Sequence, residues 1–330
     1  MADAAATPTY ARIVALDTAE ESVDLPLSAV APKWLRRIFW ANLVAQIGIV
    51  ITGGVVRVTG SGLGCPTWPE CVEGSITPTS EQTETWHKYV EFGNRTLTGV
   101  LLVLALAAVV GAFVWRRRTG VHRRWVMVLA AIPLLGTLAQ AVLGGLTVLV
   151  DLHPMAVASH LLLSMAVIAA CVALVQFAAE PVDPPGAAVT RSVTRHLGDA
   201  LIATTAVVVV LGTVVTGSGP HAGDSRTVRL DLDPRLVSWL HADVVLLFIG
   251  LLVGMLALLH VEDPEGPARR RAWWVVGFAL LQAGIGYVQY FTGLPWVLVT
   301  FHLLGACLVW VGVWRLRLSL TRREPAQPLR

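Results

Sequence analysis

Charge is what this 330-residue chain has little of: 14% of its residues are Asp, Glu, Lys or Arg, against 55% that are hydrophobic. Its mean hydropathy is +0.66. A soluble domain carries about a quarter charged residues, so the composition excludes an aqueous globular protein and points to a bilayer. An apolar amino-terminal core is missing too. The first 30 residues hold Asp3, Asp17, Glu20, Glu21 and Asp24, so neither a cleaved secretory signal nor a transit peptide is expected there. Cysteine is also scarce, at four residues, and neither half of the chain offers the three or four clustered ligands that a zinc or copper site needs.

What is present is a set of eight apolar runs, each long enough at ~20 residues to cross a hydrocarbon core of roughly 30 Å. They are expected over 36–57, 89–115, 124–149, 155–179, 199–217, 236–260, 272–291 and 296–316. Basic residues gather at one side of them. Lys33, Arg36 and Arg37 precede the first run, and Arg116 to Arg118, Arg123 and Arg124 follow the second. Arg191 and Arg195 stand between the fourth and fifth, Arg269 to Arg271 follow the sixth, and Arg315, Arg317, Arg322 and Arg323 follow the eighth. Excess Lys and Arg marks the cytoplasmic side, which puts both termini inside and the odd-numbered connections outside. Each cluster abuts an apolar run, so the formal charge of +3 reads as topology and no nucleic-acid partner is expected.

The first outward connection contains Cys65-Pro-Thr-Trp-Pro-Glu-Cys71, in a compartment that permits disulfides. A disulfide or a redox-active thiol pair is favoured there over two unpaired loop cysteines. Cys171 and Cys307 fall inside the fourth and eighth runs, as small core residues.

The two halves of the chain resemble each other. Thr59-Gly-Ser-Gly62 ends the first run and Thr216-Gly-Ser-Gly219 the fifth; Gln140-Ala141 has its partner in Gln282-Ala283. Pro154 precedes His160-Leu-Leu, and Pro295 precedes His302-Leu-Leu. Four helices repeated once run in the same direction, a parallel duplication. The expected fold is an all-α integral membrane protein, its eight transmembrane helices forming two tandem four-helix bundles. The division is a tail over 1–33, a bundle over 34–180 with an outer loop at 58–88, a cytoplasmic linker over 181–198, a second bundle over 199–318 and a tail over 319–330.

Depth singles out four positions. Asn94, His160, His241 and His302 each lie five or six residues past the outer entry of an even-numbered run, roughly 8–9 Å below the boundary at 1.5 Å per residue. An ionisable side chain in lipid is costly unless something binds it. A lone histidine in an apolar helix is more often a hydrogen-bonded core residue, but three at matched depth in repeated segments reverse that preference. Each half offers one pair, Asn94 with His160 and His241 with His302, and two imidazoles from facing helices are what a six-coordinate heme iron requires. His87, His122, His153, His196, His221 and His260 lie in connections or near span ends. Glu91 sits one helical turn before Asn94 on the same face, a candidate proton acceptor; the other reading is an interfacial glutamate paired with Arg95 or Arg57. Trp34, Trp68, Trp86, Trp239 and Trp296 read as interfacial belt residues.

The segments Thr59-Gly-Ser-Gly-Leu-Gly-Cys65-Pro-Thr-Trp-Pro-Glu-Cys71, Glu91-Phe-Gly-Asn94-Arg95, His160-Leu-Leu-Leu and Thr216-Gly-Ser-Gly-Pro-His221-Ala-Gly together resemble the heme A synthases, over essentially all of the chain after residue 33. The last of them is similar to the actinobacterial branch. The resemblance implies a bacterial plasma-membrane enzyme that oxidises the C8 methyl of heme O to a formyl group, giving heme A for the terminal oxidase. It implies a heme b iron held by His241 and His302 in the second bundle, and a substrate heme in the first with His160 on its iron. Glu91 matches the family's essential glutamate. Cys65 and Cys71 match a pair proposed to pass reducing equivalents or hold the loop. Arg57 and Arg95 are placed to meet heme propionates, with snorkelling to the interface as the alternative. Implied partners are the farnesyltransferase that makes heme O, terminal-oxidase assembly factors, and further copies of the chain.

One departure stands out: many members have Glu-x-x-His-Arg where this chain has Asn94. A second registration, Glu84-Thr-Trp-His87-Lys88, would put His87 about 10 Å nearer the surface than its counterparts; it is set aside as the main alignment, leaving His87 to line the mouth of the site. The rival readings are a diheme cytochrome that only relays electrons and, behind it, a transporter built on parallel repeats.

Overall fold

The computed structural model describes residues 30–82, 85–119, 124–180, 187–225, 227–263 and 265–322. Most of the amino-terminal tail, Glu84, His122, Arg123, Arg323, the start of the inner linker and the carboxy-terminal tail lie outside the described residues.

Eight α-helices carry apolar windows long enough to cross a membrane: α1 (Lys33–Val58), α2 (His87–Thr119), α3 (Arg124–Leu149), α4 (Pro154–Ala178), α5 (Ser192–Ser218), α6 (Pro234–Glu262), α7 (Pro267–Phe291) and α8 (Trp296–Ser319). The chain is a multi-pass membrane protein. Several helices outrun the apolar stretch that announces them. α2 continues through Arg116, Arg117 and Arg118, because arginine is a good helix former and a cation in the last turn complements the helix dipole. α7 starts at Pro267 rather than near 272, with proline in the first turn, where its missing N–H leaves nothing unpaired. α5 starts at Ser192, inside the stretch expected as linker. The pairing of Ala187–Ala188 (β1) with Thr321–Arg322 (β2) is a two-residue antiparallel ladder.

Each of the first four helices packs on the next, and α4 closes back on α1; α5 to α8 close in the same way through α8 and α5. Between the two sets, α8 packs on α1 and α4, and α5 on α4. Lipid tails give helices no hydrophobic reason to associate, so close packing and small residues must hold them. Ala105, Ala108 and Ala112 of α2 are buried, and a Cβ on Gly111 would stand 2.8 Å from Leu35. The largest core gathers Leu35, Phe39 and Leu43 of α1, Ile168 and Val172 of α4 and Cys307 and Trp310 of α8. Across that seam Trp310 Nε1 donates to the Met165 carbonyl at 2.8 Å. Cys171 and Cys307 are buried free thiols.

The turns into α4 and α8 share one backbone form. Leu152 and Leu294 have φ of 59° and 60°, and their N–H groups donate to the carbonyls of Thr147 and Gln289 at 2.8 and 2.7 Å. A left-handed leucine costs about 1–2 kcal/mol. At Leu152 burial offsets this: its Cδ1 lies 2.6 and 2.9 Å from where Cβ atoms on Gly62 and Gly223 would be. The glycines of Thr59-Gly-Ser-Gly62 and Pro220-His-Ala-Gly223 are thus spacers for one leucine. Gly62 also donates its N–H to the Gly223 carbonyl at 3.1 Å, and Arg57 bonds the carbonyls of His221 (2.7 Å) and Thr216 (3.1 Å). The two sets of helices are fastened together at this end.

Candidate active site

His160 on α4, His241 on α6 and His302 on α8 are half-buried, and the Nδ1 of each is buried without a hydrogen bond. Every one of these rings rests on a glycine of the neighbouring odd-numbered helix. A Cβ added at Gly144, Gly212 or Gly286 would lie 3.3, 3.4 or 3.2 Å from Cε1 of His160, His241 or His302 respectively. His241 lies near the backbone of Val208 and His302 near that of Gln282, and the two imidazoles are near enough to influence each other electrostatically.

This arrangement fits a planar macrocycle. The Nδ1 of each ring has no hydrogen-bond partner within the protein, and in a metal-ligating histidine one nitrogen binds the metal while the other is oriented by its surroundings. A buried nitrogen without a strong partner is costly and is tolerated where the other nitrogen is bound. Among the described residues no group of three or more His, Cys, Asp or Glu side chains converges to hold a bare metal ion.

Asn94 occupies different surroundings. Its Oδ1 accepts a hydrogen bond from Thr52 Oγ1 at 2.7 Å, and its Nδ2 is 4.0 Å from where a Cβ on Gly53 would be. With Thr52, Val55, Val90, Gly93 and Leu97 it lines a cleft of about 400 Å³ between α1 and α2. His87 is held elsewhere: its Nδ1 bonds Ser61 Oγ at 2.9 Å and its ring stacks on Trp86 at 4.0 Å.

Glu91 is buried, at 4% exposure, and both carboxylate oxygens are engaged. Oε2 accepts from the Cys65 N–H at 2.7 Å, and Oε1 accepts from Arg95 Nη2 at 2.5 Å and Nε at 3.0 Å. Arg95 then reaches past it to the carbonyls of Cys65 (2.6 Å), Thr67 (2.9 Å) and Glu70 (3.2 Å). Cys65 and Cys71 form a disulfide with an S–S distance of 2.02 Å. The pairing of Glu91 with Arg95, one of the two readings open from sequence, is present, and its purpose is visible: together they fasten the disulfide loop to α2. In this structure the Arg57 guanidinium is directed to the carbonyls of His221 and of Thr216 at the end of α5, and that of Arg95 to Glu91 and the loop carbonyls.

Several contributors were not singled out from sequence. Lys88, only 6% exposed, donates Nζ to the Thr79 carbonyl at 2.7 Å, and Gln82 donates to the Gly64 carbonyl at 3.0 Å, pinning the rest of the loop between α1 and α2. Trp68, expected as a belt residue, lies over α3: a Cβ on Gly145 would be 2.4 Å from its indole. Gly144 and Gly145 therefore carry His160 on one side and the disulfide loop on the other. Two consecutive glycines in a helix were the available signal.

The family model for cytochrome oxidase assembly protein (COX15-CtaA) matches residues 36–224. The chain belongs to this family. Among curated relatives, a heme A synthase of Geobacillus thermodenitrificans is 30% identical over 129 residues, 39% of this chain and 38% of that one. A heme A synthase of Lysinibacillus sphaericus is 34% identical over 118 residues, 34% and 36% of the two chains. A protoheme IX farnesyltransferase of Thermus thermophilus is 36% identical over 90 residues, 26% of this chain and 14% of that one. The alignments thus span well under half the length of these relatives.

Proposed function

We propose that this cytochrome oxidase assembly family member is a heme A synthase, converting the C8 methyl of heme O to a formyl group by two successive hydroxylations, each a two-electron oxidation whose electrons pass to an external acceptor, with loss of water from the resulting gem-diol. The observation that carries this reading is the set of imidazoles seated on glycines, His160 on Gly144, His241 on Gly212 and His302 on Gly286, with His160 set beside the disulfide loop. A bis-histidine heme b on His241 and His302 would supply electron transfer when bound. His160 positions the iron of the substrate heme, Asn94 leaves its other face weakly held, and Glu91 takes up protons released at the methyl carbon. The disulfide loop, with Trp68 over α3, shields that region from water. The helix closure pattern and the matching turns at Leu152 and Leu294 support two four-helix bundles related by duplication, over 34–180 and 199–318. The basic clusters support a plasma-membrane protein with cytoplasmic termini. A partnership with the enzyme that makes heme O belongs to the same reading, since that enzyme's product would be this one's substrate.

Expression in a host that makes heme O but not heme A, followed by heme extraction, tests the assignment. Formyl heme is expected with the wild-type chain; its absence overturns the reading. A pure electron relay would bind heme and make no such product, and it has no evident use for a proton acceptor at Glu91 or for a missing ligand at Asn94. The asymmetry at Asn94 gives a second expectation. Asn94→His supplies a strong second ligand, so heme in the amino-terminal half should survive detergent purification at higher occupancy than in wild type. Unchanged occupancy would mean that Asn94 is not at the iron.

A further inference from the structure

Two buried amides that the proposed chemistry leaves unused stand behind two of the histidines. Gln140 on α3 donates Nε2 to the His160 carbonyl at 3.0 Å and to Ser164 Oγ at 2.5 Å. Gln282 on α7 donates Nε2 to the His302 carbonyl at 2.7 Å. The Oε1 of each is buried without a partner. One helical turn further along the same helices are Gly144 and Gly286, which receive the rings of those same two histidines. Each histidine is therefore held twice by one neighbouring helix: the amide holds its backbone and the glycine meets its ring.

Stability is a poor account of these glutamines. A carbonyl inside a helix already accepts the N–H four residues on, so a second donor adds little. The buried Oε1 carries an uncompensated desolvation cost that a methionine or leucine would not have. The fold also makes room for the amide: the Oε1 of Gln282 is 2.0 Å from where a Cβ on Gly305 would be. The residue four before Gly212 is Val208, which has no amide to offer His241, and Asn94 is held through Thr52.

We infer that Gln140 and Gln282 are positioning residues that fix the height and ring rotation of His160 and His302 against Gly144 and Gly286, so that in each half the ligand on α4 or α8 is rigid and its counterpart on α2 or α6 adjusts. The inference rests on the proposed reading of these histidines as heme ligands. Orientation of the imidazole plane governs the low-spin signal of a ferric bis-imidazole heme, a property that a merely structural residue would leave alone.

The test uses the purified full-length holoprotein and its ferric low-spin electron paramagnetic resonance signal. Gln282→Met keeps the volume and removes the donor. Gly305→Ala displaces the amide and leaves both Gln282 and His302 in place, which covers the case in which the first variant fails to fold. The wild type is expected to give one low-spin species from the second half. Both variants should retain heme while that single signal is lost to two or more species or to one with displaced g-values. An unchanged single signal in a folded, heme-loaded variant overturns the inference. A wild-type protein without bis-imidazole heme overturns the heme reading beneath it, a distinguishable failure.

Discussion

A Glu91→Gln variant is expected to keep its heme and its disulfide and to lose formyl-heme formation by two to four orders of magnitude, the usual range for removing a general acid or base. Glutamine is nearly isosteric, and its amide oxygen still accepts the Cys65 N–H that Glu91 Oε2 accepts at 2.7 Å. What it lacks is a site for a proton and a charge for Arg95. The complementary change, Arg95→Ala, leaves the carboxylate in place and frees the carbonyls of Cys65, Thr67 and Glu70. Removing one partner of a buried pair costs about 3–5 kcal/mol, so that variant should loosen the outer loop, read as faster proteolysis between residues 65 and 82. Quantifying extracted hemes and loop cleavage in both variants separates the two roles. If Glu91→Gln still makes formyl heme at near the wild-type rate while Arg95→Ala does not, the carboxylate is a fastener and the proton acceptor lies elsewhere.

His302→Ala should have the largest spectroscopic effect. The ring of His302 is seated on Gly286 and, with His241, is proposed to hold the heme b, so its removal would leave that heme with one imidazole. Loss of the low-spin absorption of the second half is expected, together with loss of formyl product. The corresponding His160→Ala change should abolish product while sparing that low-spin heme. Should His302→Ala retain a full low-spin spectrum, the iron is not held by this pair. Both variants keep Gln140 and Gln282, so the backbone of α4 and α8 at this level stays anchored and the comparison isolates the rings.

The eight crossings were legible because charge is so scarce that each basic cluster marks a boundary. Their ends were less so, since arginine and proline extend α2 and α7 for reasons of helix chemistry that hydropathy does not register. Within the candidate site, matched depth singled out Asn94, His160, His241 and His302, of which the structure seats the three imidazoles on glycines and puts Asn94 in the cleft between α1 and α2; the sequence offered Glu91 either Arg95 or Arg57 as a partner, and the structure pairs it with Arg95. The reach of Arg95 to three loop carbonyls was not legible, because it depends on how the segment from Cys65 to Cys71 folds back over α2. Gln140 and Gln282 were visible as a repeated dipeptide only. A hydrogen bond to a carbonyl on another helix leaves no periodic trace. Lys88 shows the same limit from another side: a lysine at a helix start reads as solvated, and only the outer loop wrapped above it explains its burial.

Among the described residues, the bonds that cross between the two sets of helices fall mainly at two levels, beyond a longer one from Arg271 Nη2 on α7 to Gln176 Oε1 on α4 at 3.4 Å. At one end are Arg57 with the carbonyls of His221 and Thr216, and Gly62 with Gly223; Trp310 and Met165 meet farther along, Trp310 lying about 12 Å beyond His302 at eight residues of helical rise. Parts riveted at two levels do not rock. Motion of the kind that carries cargo through alternating-access transporters would have to break both sets of rivets at once. For the proposed enzyme this divides labour between stiff and soft regions: the gap that electrons must jump from one half to the other keeps a constant width, and a bulky flat substrate has to come and go through local give at the outer loop and the cleft between α1 and α2.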